Sequence, residues 1–191
     1  MIDVWRVPLD TAVVPPPTPG ETARAARFAT EELARRYLTS HGALRAVLGK
    51  FTSARLEFAL GEKGKPYLPL APEVRFNLSR SRDRALIAVS RDIEVGADIE
   101  FIRPMENYAA VAGRYFPPEE DPPVDENDFF RRWTRIEALL KARGVGLYGS
   151  GIPLDGDWMI EEIDAGPGFA AAVAAAGSGH VVRVHDFGVD E

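Results

Sequence analysis

"EVGADIEFIRP", residues 94–104, decides how the rest of the chain is read. An apolar strand arrives, and then Asp98 and Glu100 stand two apart with Ile99 between them. On a strand, positions i and i+2 point to one face, so both carboxylates aim at the same space. Like charges that close repel, and one tends to take up a proton. Read alone, the pair is either two solvated acids at a strand end or a site that holds something positive.

Working back from this stretch, "ALIAVS" (85–90) and "VRFNLS" (74–79) read as two strands joined by "RSRDR" (80–84). "GEKGKPYLP" (61–69) is turn-rich, and "SARLEFAL" (53–60) alternates like another strand. Residues 21–50 repeat Phe28, Leu33, Tyr37, Leu44, Val47 and Leu48 at helical spacing, and "SHG" (40–42) is the expected break into two helices. "VPPPTPGE" (14–21) is a stiff loop before them.

Working forward, "ENYAAVAGRYF" (106–116) is a short helix closed by "PPEEDPP" (117–123). "DFFRRWTRIEALLKARG" (128–144) is a longer one, stopped at Gly144. "DWMIEEID" (157–164), "FAAAVAAAG" (169–177) and "HVVRVHDF" (180–187) read as strands. Each half therefore runs helix first and then about three strands. The expected class is α+β, with two similar halves in pseudo-twofold duplication, each a small, mostly antiparallel sheet packed with helices. The halves are drawn at 1–97 and 98–191, which puts the acids at their junction, a common place for ligand sites.

Composition narrows the function. The chain has 191 residues, 46% of them hydrophobic, enough for a sizeable core. A net charge of −6 argues against a general nucleic-acid binder. With no cysteine, disulfides and thiolate metal sites are excluded, and His41, His180 and His185 are too scattered for a zinc site. "MIDVWRVPLD" lacks the apolar core of a secretory leader, and no apolar run approaches membrane-spanning length. A cytoplasmic α+β protein that neither crosses a membrane nor binds nucleic acid is the expectation.

In "WTRIEALLKARG" (133–144), Glu137 and Lys141 are four apart and share a helix face beside the stripe Trp133, Ile136 and Leu140. By itself this is an ordinary surface ion pair. Four motifs in order change the weighing: "GKPYL", "FNLSRS", "VGADIE" and "WTRIEALLKARGVGL". Together they resemble the 4′-phosphopantetheinyl transferases of the large, single-chain Sfp type, whose pattern is G-(I/V)-D-x-E followed some forty residues later by W-(S/T)-x-K-E-(A/S)-x-x-K. Here Asp98 and Glu137 are 39 positions apart. The likeness runs from about Arg24 to Leu147.

The resemblance implies transfer of 4′-phosphopantetheine from coenzyme A to a serine of an acyl, polyketide or peptidyl carrier protein, releasing adenosine 3′,5′-bisphosphate. It implies magnesium held by Asp98, Glu100 and Glu137, with Glu137 as general base and Lys141 meeting phosphate charge. A hard dication prefers such oxygen ligands and would remove the repulsion between the acids. Coenzyme A contacts are implied for Arg24, Lys65, Ser79 and Arg80. Outside the resemblance, Arg24 reads as a solvated helix residue and Lys65 as an exposed turn lysine; Arg36 is helix surface. Gly144 and Gly146 would let the loop after the helix pass close to ligand, or simply stop it. A single chain carrying both halves implies a monomer.

The chain also departs from the family. "SRSRD" (79–83) replaces S-H-S-G-D, so Arg80 stands for a histidine and Arg82 for a glycine, and Ile136 stands for the lysine before the catalytic glutamate. Arginine still binds phosphate but carries no proton role near neutral pH. Arg80, Arg82 and Arg84 alternate, which on a strand would make a basic ladder. The alternative function is a degenerate transferase that binds coenzyme A or a carrier without turnover.

Overall fold

The computed structural model describes residues 1–117, 120–145 and 156–189. The first half begins with a strand, β1 (Ile2–Pro8), followed by helices α1 (Pro19–Ala25) and α2 (Glu31–Leu48), the small pair β2 (Ala59–Leu60) and β3 (Pro66–Tyr67), and the hairpin β4 (Val74–Ser81) and β5 (Arg84–Arg91). The second begins with β6 (Val95–Phe101), then α3 (Tyr108–Tyr115), α4 (Glu126–Ala142), β7 (Trp158–Glu162), β8 (Phe169–Ala176) and β9 (Val182–Asp186). The class is α+β, as expected.

The sheet order is β4-β5-β1-β9 in one sheet and β7-β8-β6 in the other. In each, the opening strand pairs antiparallel with the last strand of a hairpin. β9 leaves the second half to lie parallel to β1, and a division at 97/98 falls inside β6.

Alternation along the strands builds the layers. Trp5, Val7, Phe76, Ile87 and Val89 pack against Ala43, Leu44, Val47 and Leu48 of α2. Ile2, Val4, Leu86 and Ala88, on the opposite sheet face, meet Val95, Ala97, Ile99, Ala171, Val173 and Ala175. Ala172 and Ala174 meet Ala138, Leu139 and Ala142 of α4. The result is helix, sheet, sheet, helix. The alanine run is a buried strand because small side chains are needed on both of its faces.

Gly96 sets the distance between β6 and α4. A Cβ there would lie 2.1 Å from the Ala138 carbonyl oxygen and 2.3 Å from the Ala142 nitrogen, both backbone atoms that cannot step aside. Only glycine lets the helix lie against the strand that carries the acids. Helix α4 starts on Asp125, whose carboxylate accepts from the Asp128 N–H at 2.8 Å. It ends in a Schellman motif: Gly144 donates to the Lys141 carbonyl, Val145 to that of Leu140, and Gly144 has φ 66°. Gly144 is therefore a helix stop; Gly146 lies outside the described residues.

Three expectations are corrected. "SHG" does not break the helix: α2 runs through it, and the interruption falls before Thr30, whose hydroxyl caps α2 by accepting from the Leu33 N–H. Only Ala59–Leu60 of "SARLEFAL" is strand, because that segment finds just the two-residue partner β3. The halves begin with strands, β1 and β6, not helices. Among the described residues no helix is long and apolar enough to cross a membrane.

Candidate active site

The face of β6 opposite its apolar residues carries Gly96, Asp98 and Glu100 toward α4. Asp98 is 3% exposed. Its Oδ1 accepts from Lys141 Nζ at 2.5 Å and from Ser79 Oγ at 2.9 Å; its Oδ2 is buried with no hydrogen-bond partner among the described residues. Glu100 Oε2 accepts from Ser81 Oγ at 2.9 Å and lies 3.5 Å from the Arg103 guanidinium. Glu137, one turn before Lys141, has a buried Oε1 with no hydrogen-bond partner among the described residues. Lys141 thus reaches across to Asp98 and Ser79, at 3.0 Å, which is more than a surface pair on one helix.

Electrostatics agree with the geometry. Burial pushes the Asp98 carboxyl above its usual range, against the pull of Lys141 and Ser79. Burial does the same at Glu100, where Ser81 pulls down and the Asp98 charge adds to the rise. Burial also raises Glu137, opposed by Lys141 and reinforced by Asp98 and Glu100. Three acids that act on one another are thus short of positive charge. Among the described residues no three His, Cys, Asp or Glu groups close into a ready cage. The two orphaned carboxylate oxygens, Asp98 Oδ2 and Glu137 Oε1, nonetheless fit a hard dication, which takes oxygen donors and keeps several waters.

A cavity of about 570 Å³ opens beside the first sheet, lined by Thr18, Tyr37, His41, Phe58, Asn77 and Arg80 among others. Arg80 stacks its guanidinium over Tyr37 at 5.1 Å and Phe28 at 5.5 Å. Arg24, exposed at the end of α1, acts on both Tyr37 and Arg80. Burial holds the His41 imidazole below its usual range. Arg36 belongs elsewhere, in ion pairs with Asp10 and Glu32.

Lys65 lies between the β2–β3 segment, β6 and α4. Its ammonium donates to Glu94 at 2.6 Å, to the Val95 carbonyl at 3.0 Å and to the Ala142 carbonyl at 2.8 Å, so all three donors are taken. It ties the β2–β3 segment to β6 and to the end of α4. The basic ladder does not form. Arg82 turns the hairpin at φ 53° and stacks on Phe101, while Arg84 pairs across the hairpin with Ser81, over Phe169 and hydrogen-bonded to the Ala165 carbonyl. A residue and its cross-strand partner share a face, so Arg84 lies on the opposite face from Arg80. Ile136, where the family has lysine, is 8% exposed in a small recess with Leu139 and Ile160.

Sequence reading missed Ser81 and Asn77. Their spacing with Ser79, at i, i+2 and i+4 on β4, was the available signal. It read as the polar face of an ordinary strand.

The α+β fold thus brings a buried acid–lysine seam and a cavity bordered by Arg80 into one chain. The chain belongs to the 4′-phosphopantetheinyl transferase superfamily, whose family model matches residues 94–181. It is similar to the 4′-phosphopantetheinyl transferase HetI of Nostoc sp., 34% identical over 165 residues that cover 76% of this chain and 70% of HetI. It is also similar to the transferase AcpT of Escherichia coli K12, 38% identical over 63% of this chain and 60% of AcpT, and to a 4′-phosphopantetheinyl transferase of Bacillus subtilis, 31% identical over 68% and 59%. The activity of this class is transfer of phosphopantetheine to carrier proteins.

Proposed function

We propose that the chain transfers 4′-phosphopantetheine from coenzyme A to the serine of an acyl, polyketide or peptidyl carrier protein, using Asp98, Glu100, Glu137 and Lys141. The observation that carries this reading is the pair of buried, unpartnered oxygens on Asp98 and Glu137, in one seam with Glu100. Magnesium, held by these three acids, would neutralise the pyrophosphate charge. Glu137, raised by burial toward holding a proton, takes the proton of the carrier serine as its oxygen attacks the β-phosphorus. The bond to the leaving phosphate breaks, and adenosine 3′,5′-bisphosphate departs. Lys141 shifts from Asp98 toward the phosphates. Such a transfer depends on positioning and charge more than on covalent help.

Coenzyme A's nucleotide end belongs in the 570 Å³ cavity that Arg80 lines, with Arg24 nearby to meet phosphate, while Ser79 stays in the seam on Asp98 and Lys141. Tyr37 and Phe28 hold the Arg80 guanidinium in place, so arginine can do the binding that a histidine does elsewhere in the family. Lys65 acts as a clamp under this reading. The matching order of β4-β5-β1 and β7-β8-β6 supports descent by duplication, with the halves meeting at the start of β6. The protein works as a cytoplasmic monomer, and α3 with the start of α4 offers the carrier surface.

Ile136 favours activity over a degenerate, binding-only protein. It borders a recess with Arg132, Arg135, Leu139 and Ile160, while Asp98, Glu100, Glu137 and Lys141 of the seam are all retained. Release of adenosine 3′,5′-bisphosphate, followed by chromatography, tests the reading: the product is expected only with coenzyme A, magnesium and an apo carrier all present. Release without a carrier would indicate a hydrolase, and no release while coenzyme A still binds would indicate a degenerate transferase.

A further inference from the structure

β4 and β6 are neighbours that share no backbone ladder; they belong to different sheets. Three β4 side chains do the pairing instead. Asn77 Oδ1 accepts from the Ala97 N–H at 2.9 Å, Ser79 Oγ from Ile99 at 3.4 Å and Ser81 Oγ from Phe101 at 3.0 Å. The two serines also donate, Ser79 to Asp98 and Ser81 to Glu100, both at 2.9 Å. Each hydroxyl therefore accepts from a backbone N–H of β6 and gives its proton to the carboxylate of the preceding residue; Ser79 also accepts from Lys141.

A hydroxyl used this way fixes a carboxylate, because its own position is set by the backbone it accepts from. Asp98 has Lys141 as a second anchor. Among the described residues, Glu100 has only the longer Arg103 contact at 3.5 Å, with Arg103 itself 47% exposed. Ser81 is thus the chief restraint on the Glu100 carboxylate.

We propose that Ser81 is a positioning residue that holds Glu100 in line with Asp98 for a divalent cation, its hydroxyl locked by the Phe101 amide. The proposal rests on reading Asp98, Glu100 and Glu137 as metal ligands. Partners that orient a ligating carboxylate typically matter ten- to a hundred-fold in metal affinity.

Mn2+ titration followed by electron paramagnetic resonance is the direct test. Ser81→Ala is expected to bind Mn2+ about ten-fold more weakly, while coenzyme A affinity without metal stays within about two-fold. Ser81→Thr, which keeps the hydroxyl, is expected to restore binding. A merely structural role would lower coenzyme A affinity and thermal stability without singling out the metal. Mn2+ binding by Ser81→Ala equal to that of the unaltered chain would overturn the inference and leave the metal reading intact; no Mn2+ binding by the unaltered chain would overturn both. Should Ser81→Ala not fold, the Ser81 hydroxyl proton of the unaltered, metal-loaded protein decides by nuclear magnetic resonance. Slow exchange with water is expected, and exchange as fast as that of an exposed serine overturns the inference.

Discussion

Asp98 is a carboxylate pulled two ways, pushed toward neutrality by burial and held ionised by Lys141 and Ser79. The two-apart spacing of the acids already placed them on one face, and their common orientation toward α4 is what period two requires. What spacing does not contain is the identity of the groups across the seam, since Ser79 and Lys141 come from elements far along the chain. At Glu137 the account predicts a separation of binding from chemistry. Glu137→Gln should keep coenzyme A affinity within a few-fold while single-turnover transfer slows by about 10²–10⁴. At Arg80, alanine should raise the KM for coenzyme A about ten-fold with carrier KM unchanged, because a charge-assisted contact to phosphate is lost. Equal effects on both substrates would place Arg80 outside the coenzyme A site.

Among elements, α4 and β6 matter most, and Gly96 governs their approach. Gly96→Ala forces a Cβ against two backbone atoms of α4, so a loss of about 1–3 kcal/mol is expected in denaturant melts. The helix was legible from its periodicity and glycine stop, and β4 and β5 from their apolar runs. Strand pairing was less so. β1 alternates Ile2, Val4 and Arg6 with Asp3, Trp5 and Val7, but both of its faces are buried over most of its length, which blurs the half-exposed pattern a strand is recognised by. "SARLEFAL" has the pattern but lacks a partner long enough to use it. Outside the resemblance a lysine in a turn-rich segment looks solvated, yet Lys65 satisfies a helix-end carbonyl and Glu94 across 77 and 29 positions of chain. Lys65→Ala should cost about 1–3 kcal/mol of stability, since it leaves two carbonyls and a carboxylate without their shared donor.

Across the whole molecule, two layered halves bring three acids together with too little positive charge. Their raised carboxyls mean that the folded chain binds protons the unfolded chain has given up. Their contribution to stability is therefore greatest below the ordinary carboxylate range and is lost as pH rises through the raised values. A bound dication needs the ionised forms and should offset this loss. The gain in melting temperature from magnesium is thus expected to grow between pH 5 and pH 8; an increment independent of pH would argue against the acids as ligands. The pairing of β9 with β1 also joins the chain's ends into one sheet, a long-range contact that no local pattern announces.

The most direct test of the central claim is intact-protein mass spectrometry of a panel of apo carrier proteins incubated with the chain, coenzyme A and magnesium. The account predicts that at least one carrier gains a single phosphopantetheine mass, that chelator abolishes the gain, and that Glu137→Gln nearly does. An unmodified panel in the presence of a chain that binds coenzyme A, or modification undiminished by chelator and by Glu137→Gln, would contradict it.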